Sequence, residues 1–208
     1  MEYLGKDLAF PDVSKASSEG LLAYGGDLSP ERLILAYTLG IFPWFDDDQP
    51  ILWWSPDPRF VLFPERLKIS KSMKQVMRNS DFKITINKDF ESVITNCSQI
   101  KRNGQKGTWI TNDIKNAYIE LHKLGIAKSV EVWLDDELVG GLYGIDLNNG
   151  VFCGESMFSK VSNASKVAFI TFIQNTNYSL IDCQVYTNHL ESLGAEEMPR
   201  DEFLKYLS

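Results

Sequence analysis

Glu155, Asp182 and Gln184 stand out as polar side chains set within the apolar runs of residues 151–184. A carboxylate flanked by Gly154 and by Met157-Phe158 loses part of its hydration, which is costly unless the group has a partner or a task. In Leu180-Ile181-Asp182-Cys183-Gln184-Val185, regular strand alternation puts Asp182 and Gln184 on one face and Ile181, Cys183 and Val185 on the other. Two neighbouring polar side chains on one face of an apolar strand suit a reaction site, and they equally suit the wet face of an edge strand. Two other chemistries remain open at this level. Glu155 and Asp182 could be a hydrolase carboxylate pair. Cys153 and His189 could be a thiol nucleophile and its base, although buried cysteine is usually inert packing. The histidines, His122 and His189, sit in no metal-ligand spacing, which argues against a zinc site. Gly154-Glu155-Ser156-Met157-Phe158 lacks the closing glycine of a nucleophile elbow. No nucleotide-binding glycine fingerprint is present.

The elements that must position these residues can be read from periodicity. Ser29-Pro30 is a helix start with Leu33, Ile34, Ala36 and Tyr37 on its apolar face, and Gly40 stops it. Two aromatic clusters, Ile41-Phe42-Pro43-Trp44-Phe45 and Ile51-Leu52-Trp53-Trp54, resist helix and read as short strands and fixed turns. Phe42, Phe45 and Trp53 are expected in the core, whereas Trp44, after a proline at a turn, is placed to line a surface pocket. Pro56 and Pro58 mark a boundary. Ser70 caps a helix through Arg78, on which Lys71, Lys74 and Arg78 share the face opposite Met73, Val76 and Met77. That face is either simply solvated or a phosphate-binding patch. Helices are also expected after Asp89 and near Thr111, with a basic, glycine-bearing loop at 101–107 between them. From Ser129 the period becomes two, giving an antiparallel meander into Val151. A helix from about Asn163, the 180–185 strand and short closing helices follow.

Composition bounds the rest. The chain has 208 residues, 44% of them hydrophobic, a globular proportion. Its net charge is −7, which argues against a general nucleic-acid binder without excluding a local basic patch. No apolar run approaches the ~20 residues needed to span a bilayer, and the first residues do not read as a signal peptide. Cys97, Cys153 and Cys183 are odd in number and form no Cys-x-x-Cys pair, which fits a reduced, cytoplasmic setting.

Several blocks resemble the leucyl/phenylalanyl-tRNA–protein transferases. They include Gly25-Gly26-Asp27-Leu28-Ser29-Pro30, Gly40-Ile41-Phe42-Pro43-Trp44-Phe45, Leu52-Trp53-Trp54-Ser55-Pro56-Asp57-Pro58-Arg59 and Gly107-Thr108-Trp109-Ile110-Thr111. Further on stand Glu137-Leu138-Val139-Gly140-Gly141, Phe152-Cys153-Gly154-Glu155-Ser156-Met157-Phe158-Ser159, Asn163-Ala164-Ser165-Lys166 and Ile181-Asp182-Cys183-Gln184. The resemblance implies an α+β protein: a small N-terminal α/β domain, 1–58, and a GNAT-type acyltransferase domain with a mixed, mainly antiparallel sheet, 59–208.

The resemblance also implies a reaction. Leu, Phe or Met passes from aminoacyl-tRNA to the α-amine of a protein beginning with Arg or Lys, which marks that protein for degradation. The ester is already activated, so neither a cofactor nor a metal is expected. By resemblance Asp182 and Gln184 are the central pair, Gln184 orienting the amine and Asp182 polarising or positioning it. Glu155 is expected to hold the aminoacyl ammonium or the basic acceptor terminus. Leu142, Phe152, Met157, Phe172 and Ile181 are implied as the apolar aminoacyl pocket, with Leu142 in place of a Met. Strand parity sets Ile181 opposite Asp182. Tyr37, Trp44 and Trp109 are implied to hold the terminal adenosine by stacking, and Lys71, Lys74 and Arg78 to bind acceptor-stem phosphates. A monomer without membrane contact is expected. A binding module that kept this scaffold without catalysis is the alternative.

Overall fold

The computed structural model describes residues 1–100 and 108–208, so the basic loop expected at 101–107 lies outside the described residues. The chain opens with β1 (Glu2–Leu4), β2 (Leu21–Gly25), α1 (Pro30–Thr38), β3 (Phe42–Pro43) and β4 (Leu52–Trp54). It continues with β5 (Arg59–Leu62), α2 (Lys71–Asn79), β6 (Lys83–Ile86), α3 (Phe90–Gln99), α4 (Asn112–Lys123), β7 (Ala127–Leu134), β8 (Glu137–Asp146) and β9 (Val151–Ser159). Then come α5 (Ala164–Gln174), β10 (Leu180–Gln184), α6 (Asn188–Ser192), β11 (Glu196–Met198) and α7 (Arg200–Phe203).

Local chemistry sets the helix starts. The hydroxyls of Ser70 and Thr111 and the carboxylate of Asp89 accept the backbone N–H groups of Met73, Ile114 and Ser92 at 3.1, 3.2 and 3.1 Å. Gly40 stops α1 with φ 72°, a left-handed conformation in which glycine has no Cβ to clash.

The strands form two sheets, a small one ordered β1-β2-β4-β3 and a larger one ordered β11-β5-β10-β9-β8-β7-β6. In the larger sheet β6 to β9 is the expected antiparallel meander. β9 and β10 then pair in parallel, joined by the α5 crossover. β5 returns from early in the sequence to lie antiparallel between β10 and β11. The fold is therefore α+β, with a mixed, mainly antiparallel sheet.

Two apolar clusters hold these layers together. One runs through both sheets, linking Leu22 and Trp53 with Tyr118, Val151 and Phe203. The other surrounds α5 and joins Phe169 and Phe172 to Leu142, Phe152 and Ile181. Phe42, Phe45 and Trp53 are buried, as expected of core aromatics. Each large apolar side chain buried here contributes about 1.5–3 kcal/mol.

Candidate active site

Residues of β8, β9 and β10 line a cavity of about 360 Å³. Leu142, Phe152, Met157, Phe169 and Ile181 make its apolar wall, and Trp44, Trp109, Phe42 and Pro43 also border it. Glu155 and Gln184 line it as well. A volume of this order suits one apolar side chain with a polar group attached.

Glu155 and Gln184 touch: the Gln184 amide Nε2 donates to Glu155 Oε1 at 2.6 Å. The second carboxylate oxygen accepts from Tyr118 Oη at 3.1 Å, and Tyr118 in turn meets the Tyr37 hydroxyl. Burial raises the Glu155 carboxyl to about 7, and the Asp182 charge pushes the same way against the hydrogen bonds from Tyr37, Tyr118 and Gln184.

Asp182 lies deeper, with no exposed surface. Arg59 binds it through a two-pronged pair, Nε to Oδ1 at 2.8 Å and Nη2 to Oδ2 at 2.7 Å. Oδ1 also accepts the Gln184 backbone N–H at 2.9 Å. The Arg59 plane lies between the rings of Phe42 and Phe203, at 4.8 and 4.7 Å, and Nη1 donates to the Gly40 carbonyl at 3.1 Å. Removing one partner of such a pair strands a buried charge, at a cost of about 3–5 kcal/mol.

The expectation that Asp182 polarises or positions the amine meets a carboxylate already engaged: Oδ1 accepts from Arg59 and from the Gln184 backbone N–H, and Oδ2 accepts from Arg59. The alternation that put Asp182 and Gln184 on one face also ends early. The register against β5 shifts between these two residues, and Gln184 takes φ 64°. Ile181, set opposite Asp182 by parity, lines the cavity together with Asp182, Cys183 and Gln184, as the broken alternation allows. Phe172 does not line the cavity. It supports the wall from behind, its ring 4.6 Å from that of Phe152. Tyr37 likewise does not face the cavity: it is 1% exposed, so its ring offers no face to a base, and its hydroxyl meets Tyr118 and the Glu155 carboxylate.

Trp44 is 39% exposed, and Trp54 Nε1 donates to its carbonyl at 2.6 Å, which fixes the turn that presents the ring. Lys71, Lys74 and Arg78 are exposed on one face of α2, outside the cavity. The Cys153 thiol is buried and pushed well above its ordinary range by desolvation and by the Asp182 charge, so it is a poor nucleophile. Among the described residues no cluster of His, Cys, Asp or Glu is placed to hold a metal ion.

Arg59, read only as the close of a motif block, and Tyr118, read as a core residue of its helix, were not expected at the site. Arg59 had a signal, a lone cation opening the apolar run Phe60-Val61-Leu62 in a chain with an apolar strand bearing an unpaired aspartate. Tyr118 had none, since it sits at a helical position indistinguishable from its core neighbours.

The family model described as leucyl/phenylalanyl-tRNA protein transferase matches residues 61–208, and that of its N-terminal domain matches residues 26–57. A leucyl/phenylalanyl-tRNA–protein transferase of Flavobacterium johnsoniae is 64% identical over 210 residues, covering 100% of this chain and 99% of the relative. Another from Saccharophagus degradans is 58% identical, covering 97% of this chain and 84% of the relative. Among solved structures, a functionally unknown conserved protein from Staphylococcus epidermidis aligns with a TM-score of 0.46 and 11% identity over 86% of this chain and 68% of that one. A GCN5-related N-acetyltransferase from Kribbella flavida aligns at 0.38 and 9%, over 78% of this chain and 58% of that one, a distant likeness that bears on no reaction. With both family models matched in order and relatives aligned over the whole chain, this protein belongs to the leucyl/phenylalanyl-tRNA–protein transferase family of aminoacyltransferases.

Proposed function

We propose that the chain moves Leu, Phe or Met from aminoacyl-tRNA to the α-amine of proteins whose first residue is Arg or Lys, marking them for degradation. The observation that carries this reading is the Gln184–Glu155 hydrogen bond at an apolar cavity. The cavity takes the aminoacyl side chain against Leu142, Phe152, Met157 and Ile181, and soft walls of this kind accept unbranched and aromatic shapes alike. Trp44 and Trp109 hold the terminal adenosine by stacking, which leaves the ester carbonyl beside Glu155 and Gln184. The exposed Lys71, Lys74 and Arg78 take backbone phosphates without reading sequence.

The reaction needs a neutral amine at the ester carbon. The Gln184 Nε2 is engaged by Glu155, so its Oε1 accepts an amine N–H and aims the nitrogen lone pair. The amine nitrogen bonds to the ester carbon, and the bond from that carbon to the ribose oxygen breaks. Glu155 takes the proton the amine loses and returns it to the departing ribose oxygen. A carboxyl at about 7 is matched to that exchange near neutral pH. Asp182 acts through Gln184, whose backbone N–H it anchors. No step calls for a cofactor or a metal.

The change of sheet between Trp54 and Arg59 supports treating 1–58 and 59–208 as two parts. Action as a monomer belongs to the same proposal, and a supply of charged tRNA suits the cytoplasm. The test is transfer of labelled Leu from charged tRNA to a protein beginning with Arg, against the same protein beginning with Ala. Label on the Arg form alone is expected. Bound tRNA with label on neither would return the chain to the binding-module alternative.

A further inference from the structure

We infer that Arg59 is a positioning residue for this transfer: through Asp182 it holds the left-handed turn at Gln184 that carries the amide to Glu155. The inference rests on the reaction proposed above. Gln184 has φ 64°, a conformation that a glutamine adopts only when its surroundings over-determine it. The contact that pins it is local. The Gln184 N–H donates to Asp182 Oδ1 at 2.9 Å, across the site where the register against β5 shifts. Asp182 can serve as that anchor only if it is itself immobile and charged while having no exposed surface. Arg59 supplies both conditions. Its two parallel donors fix the carboxylate plane at 2.8 and 2.7 Å, and its charge offsets the buried anion.

Arg59 is in turn fixed from two distant parts of the chain. Gly40 and Phe42 hold it from the N-terminal part, and Phe203 from α7. Phe42 also lines the cavity, beside Pro43 and Trp44. Arg59 itself does not line the cavity, so it acts on the substrate through Asp182 and Gln184 alone. Lysine cannot replace it in this role, since a single ammonium is a point charge without the planar fork.

Charge gives the role a signature that packing lacks. Glu155 is faced by Tyr37 from α1, Tyr118 from α4 and Asp182 and Gln184 from β10. Among the described residues Cys153 on its own strand and Arg59 on β5 also act on it, and Tyr143 on β8 and His189 on α6 line the same cavity. Among the described residues of that set Asp182 and Arg59 form an ion pair, and the two act on Glu155 in opposite directions. Losing the cation therefore moves the Glu155 titration up, and losing the anion moves it down.

The experiment compares Arg59→Lys, Arg59→Met and Asp182→Asn with the wild type in steady-state and single-turnover transfer across pH, with melting temperature as the fold control. Arg59→Lys is expected to lose about 10²-fold in kcat with KM for aminoacyl-tRNA little changed and the pH limb in place, as a misaimed group would. Arg59→Met shifts the limb to higher pH and Asp182→Asn to lower pH. Should Arg59→Met fail to fold, the other two variants decide. Wild-type kcat in Arg59→Lys would overturn the inference. So would losses that track melting temperature while the limb stays in place in the charge-removing variants. A wild-type protein with no transfer would instead overturn the reaction itself, and this role with it.

Discussion

Glu155 shows how a single side chain carries two measurable consequences of one burial. Its folded-state carboxyl stands at about 7 against an ordinary 4.5, chiefly through desolvation. Because the folded value is raised, the stability tied to its protonated form is fully present below pH 4.5 and is lost as pH rises through 7. Glu155→Gln removes this dependence. In urea denaturation the stability of the wild type relative to the variant should therefore fall between pH 4.5 and 7.5, and a constant difference would contradict the burial. Trp44 predicts on binding instead. Trp44→Ala should raise KM for aminoacyl-tRNA by the ~1–3 kcal/mol of one lost stacking contact, with kcat nearly unchanged. At this scale the sequence was legible where a polar group interrupts an apolar run, as at Glu155, Asp182 and Gln184. It was not legible where the deciding partner is remote. Arg59 lies 123 residues from Asp182, and Tyr118 lies 37 from Glu155.

Elements place these side chains through close approaches as much as through strand order. At Gly140 on β8, an added Cβ would meet the Ala164 Cβ at 2.5 Å, where α5 crosses the sheet. Gly140→Ala should therefore push α5 outward and cost about 1–3 kcal/mol. For a chain of this size that is a fall in melting temperature of roughly 2–4 °C per kcal/mol. Phe169 travels with α5 and lines the cavity, so the same variant should weaken discrimination between Leu and Phe. An unchanged melting temperature would show that the contact gives way freely. Helix starts were legible, since caps such as Ser29, Ser70, Asp89 and Thr111 act within three residues. The bulge at Gln184 was not, because a register shift belongs to the pairing of β10 with β5 and leaves no mark in either strand. The short β1 and β11, three residues each, were too brief to carry a period.

Across the whole molecule a net charge of −7 coexists with the basic face of α2. If phosphates dock there, replacing Lys71, Lys74 and Arg78 by Glu should weaken tRNA binding and reduce the slope of log K against log salt by about two to three. An unchanged slope would remove α2 from the binding surface. The order of meander, helix and strand was legible from Ser129 onward. The insertion of β5 between β10 and β11 was not, and it is what brings Arg59 under the site and ties the N-terminal part to it through Gly40 and Phe42. The proposed transfer depends on Glu155 taking the amine proton. Its most direct test is the single-turnover rate of Leu transfer to an Arg-initiated peptide, measured from pH 5.5 to 8.5 for the wild type and for Glu155→Gln. The wild-type rate should rise through a limb near pH 7, and Glu155→Gln should be about 10²–10⁴-fold slower with that limb gone. Equal rates, or the same limb in both proteins, would contradict it.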